Sequence, residues 1–116
     1  MAPPVGPYTP AVRAGDFVVC SGQLGLAGGE LKKGIPDQVA QAVSNLEALL
    51  TEHGAGLGDV VKTTVLLSDI ADYAAMNEAY VTAFGSHRPA RAAYAVAGLP
   101  LGALVEIEAW AYSPVG

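Results

Sequence analysis

Leu104-Val105-Glu106-Ile107-Glu108-Ala109-Trp110-Ala111-Tyr112 is the stretch on which the fold turns. Side chains of an extended strand point alternately to its two faces, so Val105, Ile107, Ala109 and Ala111 share one face. Leu104, Glu106, Glu108, Trp110 and Tyr112 share the other. The first set suits packing beneath helices. The second mixes carboxylates with large aromatic rings, a combination unusual for a face left in water, and an oligomer covering that face resolves the conflict.

Working outward, residues 91–96 form a further strand, joined to the last by the turn-like Gly98-Leu99-Pro100-Leu101-Gly102. Residues 59–67 (DVVKTTVLL) are rich in β-branched side chains and read as a strand despite Lys62, Thr63 and Thr64. Between them, residues 71–84 read as a helix with an inward stripe of Tyr73, Asn77, Tyr80 and Phe84. Pro36-Asp37 opens an earlier helix whose Val39, Val43, Leu46 and Leu50 recur at helical spacing, and Gly54 stands where helices commonly end. Phe17-Val18-Val19-Cys20-Ser21, flanked by glycines, reads as a buried strand. Ala27-Gly28-Gly29-Glu30 lacks a lysine to hold phosphate and reads as a hairpin or connector, and the proline-rich segment up to Pro10 is extended. Strands, helix, strand, helix, strands is an α+β order, predicting a mixed or mostly antiparallel sheet with both helices on one face.

Composition narrows the function classes. A chain of 116 residues holds one core, so residues 1–116 are expected to form a single domain. With 52% hydrophobic and 15% charged residues, few charges are available to cover a lone monomer. Six basic against eleven acidic side chains, a net charge of -5, repel a phosphate backbone and make nucleic acid a poor partner. The single cysteine, Cys20, excludes an intrachain disulfide and a thiolate-rich metal site, and in an apolar strand it reads as inert core. The amino-terminal MAPPVGPYTP has neither the basic nor the apolar region of a secretory leader, and no apolar run is long enough to span a bilayer. A cytoplasmic location is expected.

The most suggestive constellation is Arg91 with Glu106, which a hairpin-like pairing of the last two strands would bring together. A guanidinium grips a carboxylate with two parallel hydrogen bonds, and a partly buried glutamate moves a proton near neutrality. The same spacing also suits a structural ion pair. Asn77 among aromatics needs partners for its amide, Tyr8 offers a ring and a hydroxyl, and Ser21-Gly22 ends a strand where a ligand can approach the backbone; each also has a purely structural explanation. His53 and His87 belong to no nucleophilic motif, His53 suiting a helix C-terminus. Metal-ligand spacings are absent, so neither metal nor cofactor is implied.

Taken in order, Gly6-Pro7-Tyr8, Ser21-Gly22-Gln23, Gln38 with Asn45-Leu46, residues 59–65 (DVVKTTV), Asn77-Glu78-Ala79-Tyr80, Pro89-Ala90-Arg91, and Leu99-Pro100 with Glu106-Ile107-Glu108-Ala109 resemble the RidA/YjgF family from residue 5 to about 112. The resemblance implies a chorismate-mutase-like fold and a homotrimeric barrel with clefts between subunits. It further implies cofactor-independent hydrolysis of enamines or imines of the 2-aminoacrylate type to 2-keto acids and ammonia. Arg91 would anchor the substrate carboxylate and Glu106 would position water and shuttle protons. Tyr8, Ser21, Gly22, Asn77 and the backbone at Ala93 would shape the rest of the pocket. This chain departs from the family pattern at Thr9 and Pro10, at Ala93, and around the Leu99-Pro100 turn, where Gly98 and Leu101 leave the rim less basic. A non-catalytic trimer that binds small carboxylates is a second reading. An endoribonuclease is a third, against which the acidic balance and the lack of a basic patch with stacking aromatics both count.

Overall fold

The stripe Val39, Val43, Leu46 and Leu50 is buried almost completely in a computed structural model of the chain, which describes residue 4 and residues 6–115. These side chains lie on α1 (Ile35–Glu52), which starts with Pro36 in its first turn and stops at His53, followed by Gly54 in the left-handed region. Before it come β1 (Ala11–Ala14), β2 (Phe17–Leu24) and a two-residue hairpin, β3 (Leu26–Ala27) with β4 (Glu30–Leu31), turned by Gly28-Gly29. After it come β5 (Val60–Leu67), α2 (Tyr73–Phe84), β6 (Ala90–Ala95) and β7 (Val105–Tyr112).

The main sheet runs β1-β2-β7-β5-β6, with every neighbour antiparallel except β5 and β6. It is therefore mixed, and both helices pack on one side of it. Val105, Ile107, Ala109 and Ala111 of β7 are fully buried under them, as the alternation required. Thr63 and Tyr80 are buried beside this core and satisfy each other through a 2.7 Å hydroxyl contact, which tethers α2 to β5.

Three expectations need correction. On α2, Met76 joins Tyr80 and Phe84 in the buried stripe, while Tyr73 stays exposed and Asn77 half-buried. The helix begins at Tyr73, after a 3-10 turn at Ile70–Asp72; its first residue is exposed, and its buried positions, Met76, Tyr80 and Phe84, recur every four residues. Second, β1 and the far half of β2 extend the sheet beyond the run 17–21, so Ser21 and Gly22 lie within a strand and do not end one. Third, β6 and β7 do not pair: β5 lies between them, because the loop over Pro100–Gly102 carries the chain across β5.

Candidate active site

Gly22 occupies a β-bulge. Between Cys20, paired with Ala109, and Gln23, paired with Ile107, β2 advances three residues while β7 advances two. A bulge re-aims side chains and opens the ladder, which is why such irregularities gather beside active sites. Here it brings the backbone of Gly22 against the Glu106 side chain. A Cβ built on Gly22 would run into Glu106 Oε2 and Cδ and would lie 2.9 Å from its Cγ. Only glycine leaves room for the carboxylate in this position.

Glu106 lies on the face of β7 that the helices do not cover, and it is half-buried. Burial, and then the neighbouring charge of Glu108, pushes its carboxyl above the ordinary glutamate range. The carboxyl opens onto a cleft of about 600 Å³, lined by Tyr8, Pro10, Ser21, Gly22 and Glu106 on one side and by Gln41, Ser44, Asn45 and Ala48 of α1 on the other. β1 pairs with β2 only as far as Cys20, so the edge of β2 beyond it is left to this cleft. The Ser21 hydroxyl and backbone N–H both donate to Pro10 O, at 2.9 and 2.8 Å, tying the segment that carries Tyr8 to the bulge.

The α1 wall is fixed by amides. Asn45 Nδ2 donates to Leu24 O and Leu26 O, at 3.1 and 3.0 Å, and its Oδ1 accepts from Gln41 Nε2. Gln38, buried, donates to Lys32 O and accepts from the N–H of Leu104, two residues before Glu106, both at 2.9 Å. The helix thus grips both strands that meet at the site. Gln41 and Ser44 were missed in the sequence; the signal was a polar flank at 41, 44 and 45 beside the apolar stripe.

Arg91 is elsewhere. It pairs across the sheet with buried Thr63, so its side chain lies on the helix side, whereas Glu106 pairs with Leu66 on the open side. Two strand spacings and three residues of rise put their α-carbons roughly 14 Å apart, on opposite faces. The hairpin-like meeting of Arg91 with Glu106 does not occur within one chain. Instead the guanidinium stands over the rings of Tyr80 and Tyr73, its carbon 4.9 and 5.7 Å from the centroids, and donates to the Tyr73 hydroxyl and Met76 sulfur. Among the described residues none of its hydrogen bonds goes to a carboxylate. Asn77, on the same helix, keeps Oδ1 buried without a hydrogen-bond partner among the described residues. Ala93, on the Arg91 side of β6, is half-buried against the core. Because the Val96 N–H donates to Leu67 O, alternation turns the backbone of Ala93 away from β5, toward the free edge of the sheet.

The candidates therefore fall into two groups on one chain: Tyr8, Ser21, Gly22 and Glu106 at the cleft, and Arg91, Asn77 and Ala93 at the β6 edge. Among the described residues no group of three or more histidine, cysteine, aspartate or glutamate side chains gathers as metal ligands would. Cys20 is buried, its thiol pushed up to about 11 by burial, which keeps it protonated and unreactive at neutral pH.

The model of the family described as Endoribonuclease L-PSP matches residues 1–113. The chain belongs to this family, also known as RidA/YjgF. Within the family it is 46% identical over 112 residues to a RutC family protein of Pyrococcus abyssi, with 94% of this chain and 88% of that one covered. It is 46% identical over 108 residues to the 2-iminobutanoate/2-iminopropanoate deaminase of Mus musculus, covering 90% of this chain and 80% of the mouse protein. The crystal structure of RidA from an Antarctic Psychrobacter superposes with a TM-score of 0.91 at 43% identity, covering 95% of this chain and 91% of that one. No helix among the described residues is long and apolar enough to cross a membrane.

Proposed function

We propose that the protein is a cofactor-independent deaminase that hydrolyses 2-imino acids, and the enamines that tautomerise to them, to 2-keto acids and ammonia. The observation that carries the reading is Glu106: a half-buried carboxyl with raised proton affinity, seated against a glycine bulge at the mouth of a cleft. A carboxyl shifted toward neutrality can both take and return a proton at working pH. Glu106 accepts a proton from water as its oxygen bonds to the imine carbon, and delivers it to the nitrogen. The carbinolamine then collapses: its hydroxyl proton passes by way of Glu106 to the amino nitrogen, the carbon–nitrogen bond breaks as the carbonyl forms, and ammonia leaves to give the keto acid. The imine is already electrophilic, so orientation and proton transfer suffice. The name carried by the mouse relative supports this substrate class.

In this reading Arg91 holds the substrate carboxylate in a two-pronged grip. Its place on the far side of the sheet requires the Arg91 of one subunit to face the Glu106 of another. The uncovered sheet face supplies a motive for assembly: Phe17, Trp110 and Tyr112 form an edge-to-face cluster there, with the Trp110 and Tyr112 ring centroids 6.2 and 5.3 Å from that of Phe17, and Trp110 is 45% exposed. We infer a homotrimer, a chorismate-mutase-like barrel of single-domain subunits with these faces inward. Tyr8, Ser21, Gly22, Asn77 and the Ala93 backbone line the site between copies.

Release of ammonia and keto acid from imines generated in situ by an amino-acid oxidase tests the reading. Wild type is expected to accelerate release, and Arg91→Ala and Glu106→Gln each to lower the rate at least roughly a hundredfold. A wild-type protein that leaves hydrolysis at its spontaneous rate, yet binds 2-keto acids, would instead make the cleft a binding site.

A further inference from the structure

The two tyrosines that flank Arg91 differ in what their hydroxyls can do. Tyr80 is buried and its hydroxyl is committed to Thr63. Tyr73, the first residue of α2, is 40% exposed, and its hydroxyl oxygen accepts from Arg91 Nη2 at 3.2 Å. A phenol has one proton to donate as well as lone pairs to offer. With the oxygen's lone pair on a guanidinium, the Tyr73 proton has no acceptor among the described residues and is polarised by the cation behind it.

We propose that Tyr73 is a substrate-binding residue: its hydroxyl, held by Arg91, donates to the carboxylate that Arg91 grips, and so favours 2-imino carboxylates over neutral imines. The inference rests on the deaminase reading, which names Arg91 as the carboxylate anchor and says nothing of Tyr73. An ionised carboxylate offers about four lone-pair sites, enough for the remaining guanidinium N–H groups and a phenol. The two rings already stack against the guanidinium and limit how it can turn, so an anion approaching it from solvent meets the exposed Tyr73 edge of the cage.

Tyr73→Phe keeps the ring and deletes the hydrogen bond. Titration with 2-oxobutanoate, the keto-acid product, is expected to show roughly tenfold weaker binding to the variant, the usual effect of one hydrogen bond to a charged partner. Binding of the uncharged 2-oxobutanamide should be equal for the two proteins. A direct contact has its own signature in protein labelled with 13C at the tyrosine ζ carbons, where the resonance missing from Tyr73→Phe identifies Tyr73. It should move when wild type is saturated with 2-oxobutanoate. Equal affinity of the two proteins for the acid overturns the inference, and so does a Tyr73 resonance that stays still at saturation, which would leave the hydroxyl only buttressing Arg91. In both cases wild type still turns over imines, so the deaminase reading survives. A wild-type protein with neither turnover nor affinity for 2-oxobutanoate removes that reading, and Tyr73's role with it.

Discussion

The cleft around Glu106 and the edge around Arg91 are built in opposite ways. The cleft is concave and made largely by backbone: a bulge at Ser21-Gly22, a glycine that a methyl would obstruct, and carbonyls pinned by Asn45. The Arg91 edge is made by side chains, a guanidinium over two tyrosine rings on an unpaired strand. One half holds a carboxyl kept from ionising easily, the other a cation with no carboxylate partner among the described residues. Each half lacks what the other has. Shape and charge thus lie on separate surfaces, and the proposed chemistry needs two copies of the chain to bring them together.

The sharpest way to break this comparison is to inactivate the halves in different chains. Arg91→Ala retains an intact cleft and Glu106→Gln an intact edge. If the halves meet across the interfaces of a closed three-membered ring, unfolding and refolding an equal mixture yields hybrid trimers. Each hybrid contains one interface with both native residues, so about a quarter of wild-type activity should return from two inactive parents. Recovery of nothing, from hybrids shown by mass to have formed, would put both residues in one chain's site or deny the site altogether.

Next in size is the contrast between shape and charge. Gly22→Ala puts a methyl against the Glu106 side chain and displaces the carboxyl by an ångström or so, and turnover should fall roughly a hundredfold. Stability should change by no more than about 1 kcal/mol, because the colliding atoms end a flexible side chain and alanine gains over glycine in a strand. At the other half, Arg91→Lys keeps the charge and loses the planar fork, so KM should rise about tenfold with less change in kcat. Steady-state kinetics beside thermal denaturation checks both, and a Gly22→Ala protein with full activity would remove the bulge from the mechanism.

This division also explains what was legible in the sequence. The inner face of β7 was readable because alternation of Val105, Ile107, Ala109 and Ala111 is a local rule, and α1 was readable from its apolar spacing and its proline and glycine ends. Arg91, Glu106, Asn77, Tyr8, Ser21 and Gly22 were singled out from the residues themselves, while Ala93 and the role of each came from a resemblance to a family; the structure puts four of the seven at the cleft and three at the edge. What could not be read was adjacency. Arg91 and Glu106 lie on consecutive long strands, and the parallel pairing of β6 outside β5, a non-local arrangement, separates them. The bulge left no mark in composition, since Ser-Gly also suits a turn. Tyr73 was misplaced because its spacing from Asn77 and Tyr80 suited an inward stripe, whereas the buried row runs through Met76, Tyr80 and Phe84 and leaves the helix's first residue exposed beside Arg91.

The smallest expected effect concerns stability alone and asks whether the cleft holds a group at a cost. In the folded chain Glu106 binds its proton more tightly than an unfolded glutamate does, first because it is buried and then because Glu108 is near. Between the ordinary glutamate value and the raised one, the native state therefore carries more protons than the unfolded state, so stability falls as pH rises through that window. Above it the full cost of an ionised, partly desolvated carboxylate is present; below the ordinary value, near pH 4, it is absent because both states are protonated. Glu106→Gln has no charge to desolvate. The variant should be inactive yet melt slightly higher than wild type at neutral pH, with the gap closing toward about pH 4. Glu108→Gln removes only the second cause, so it should lower the pH at which the penalty is complete while leaving its onset, at the ordinary glutamate value, and most of its size in place. A Glu106→Gln gap in Tm that does not change with pH would mean that the cleft imposes no such cost, and that the carboxyl's readiness to carry a proton does not arise within the single chain.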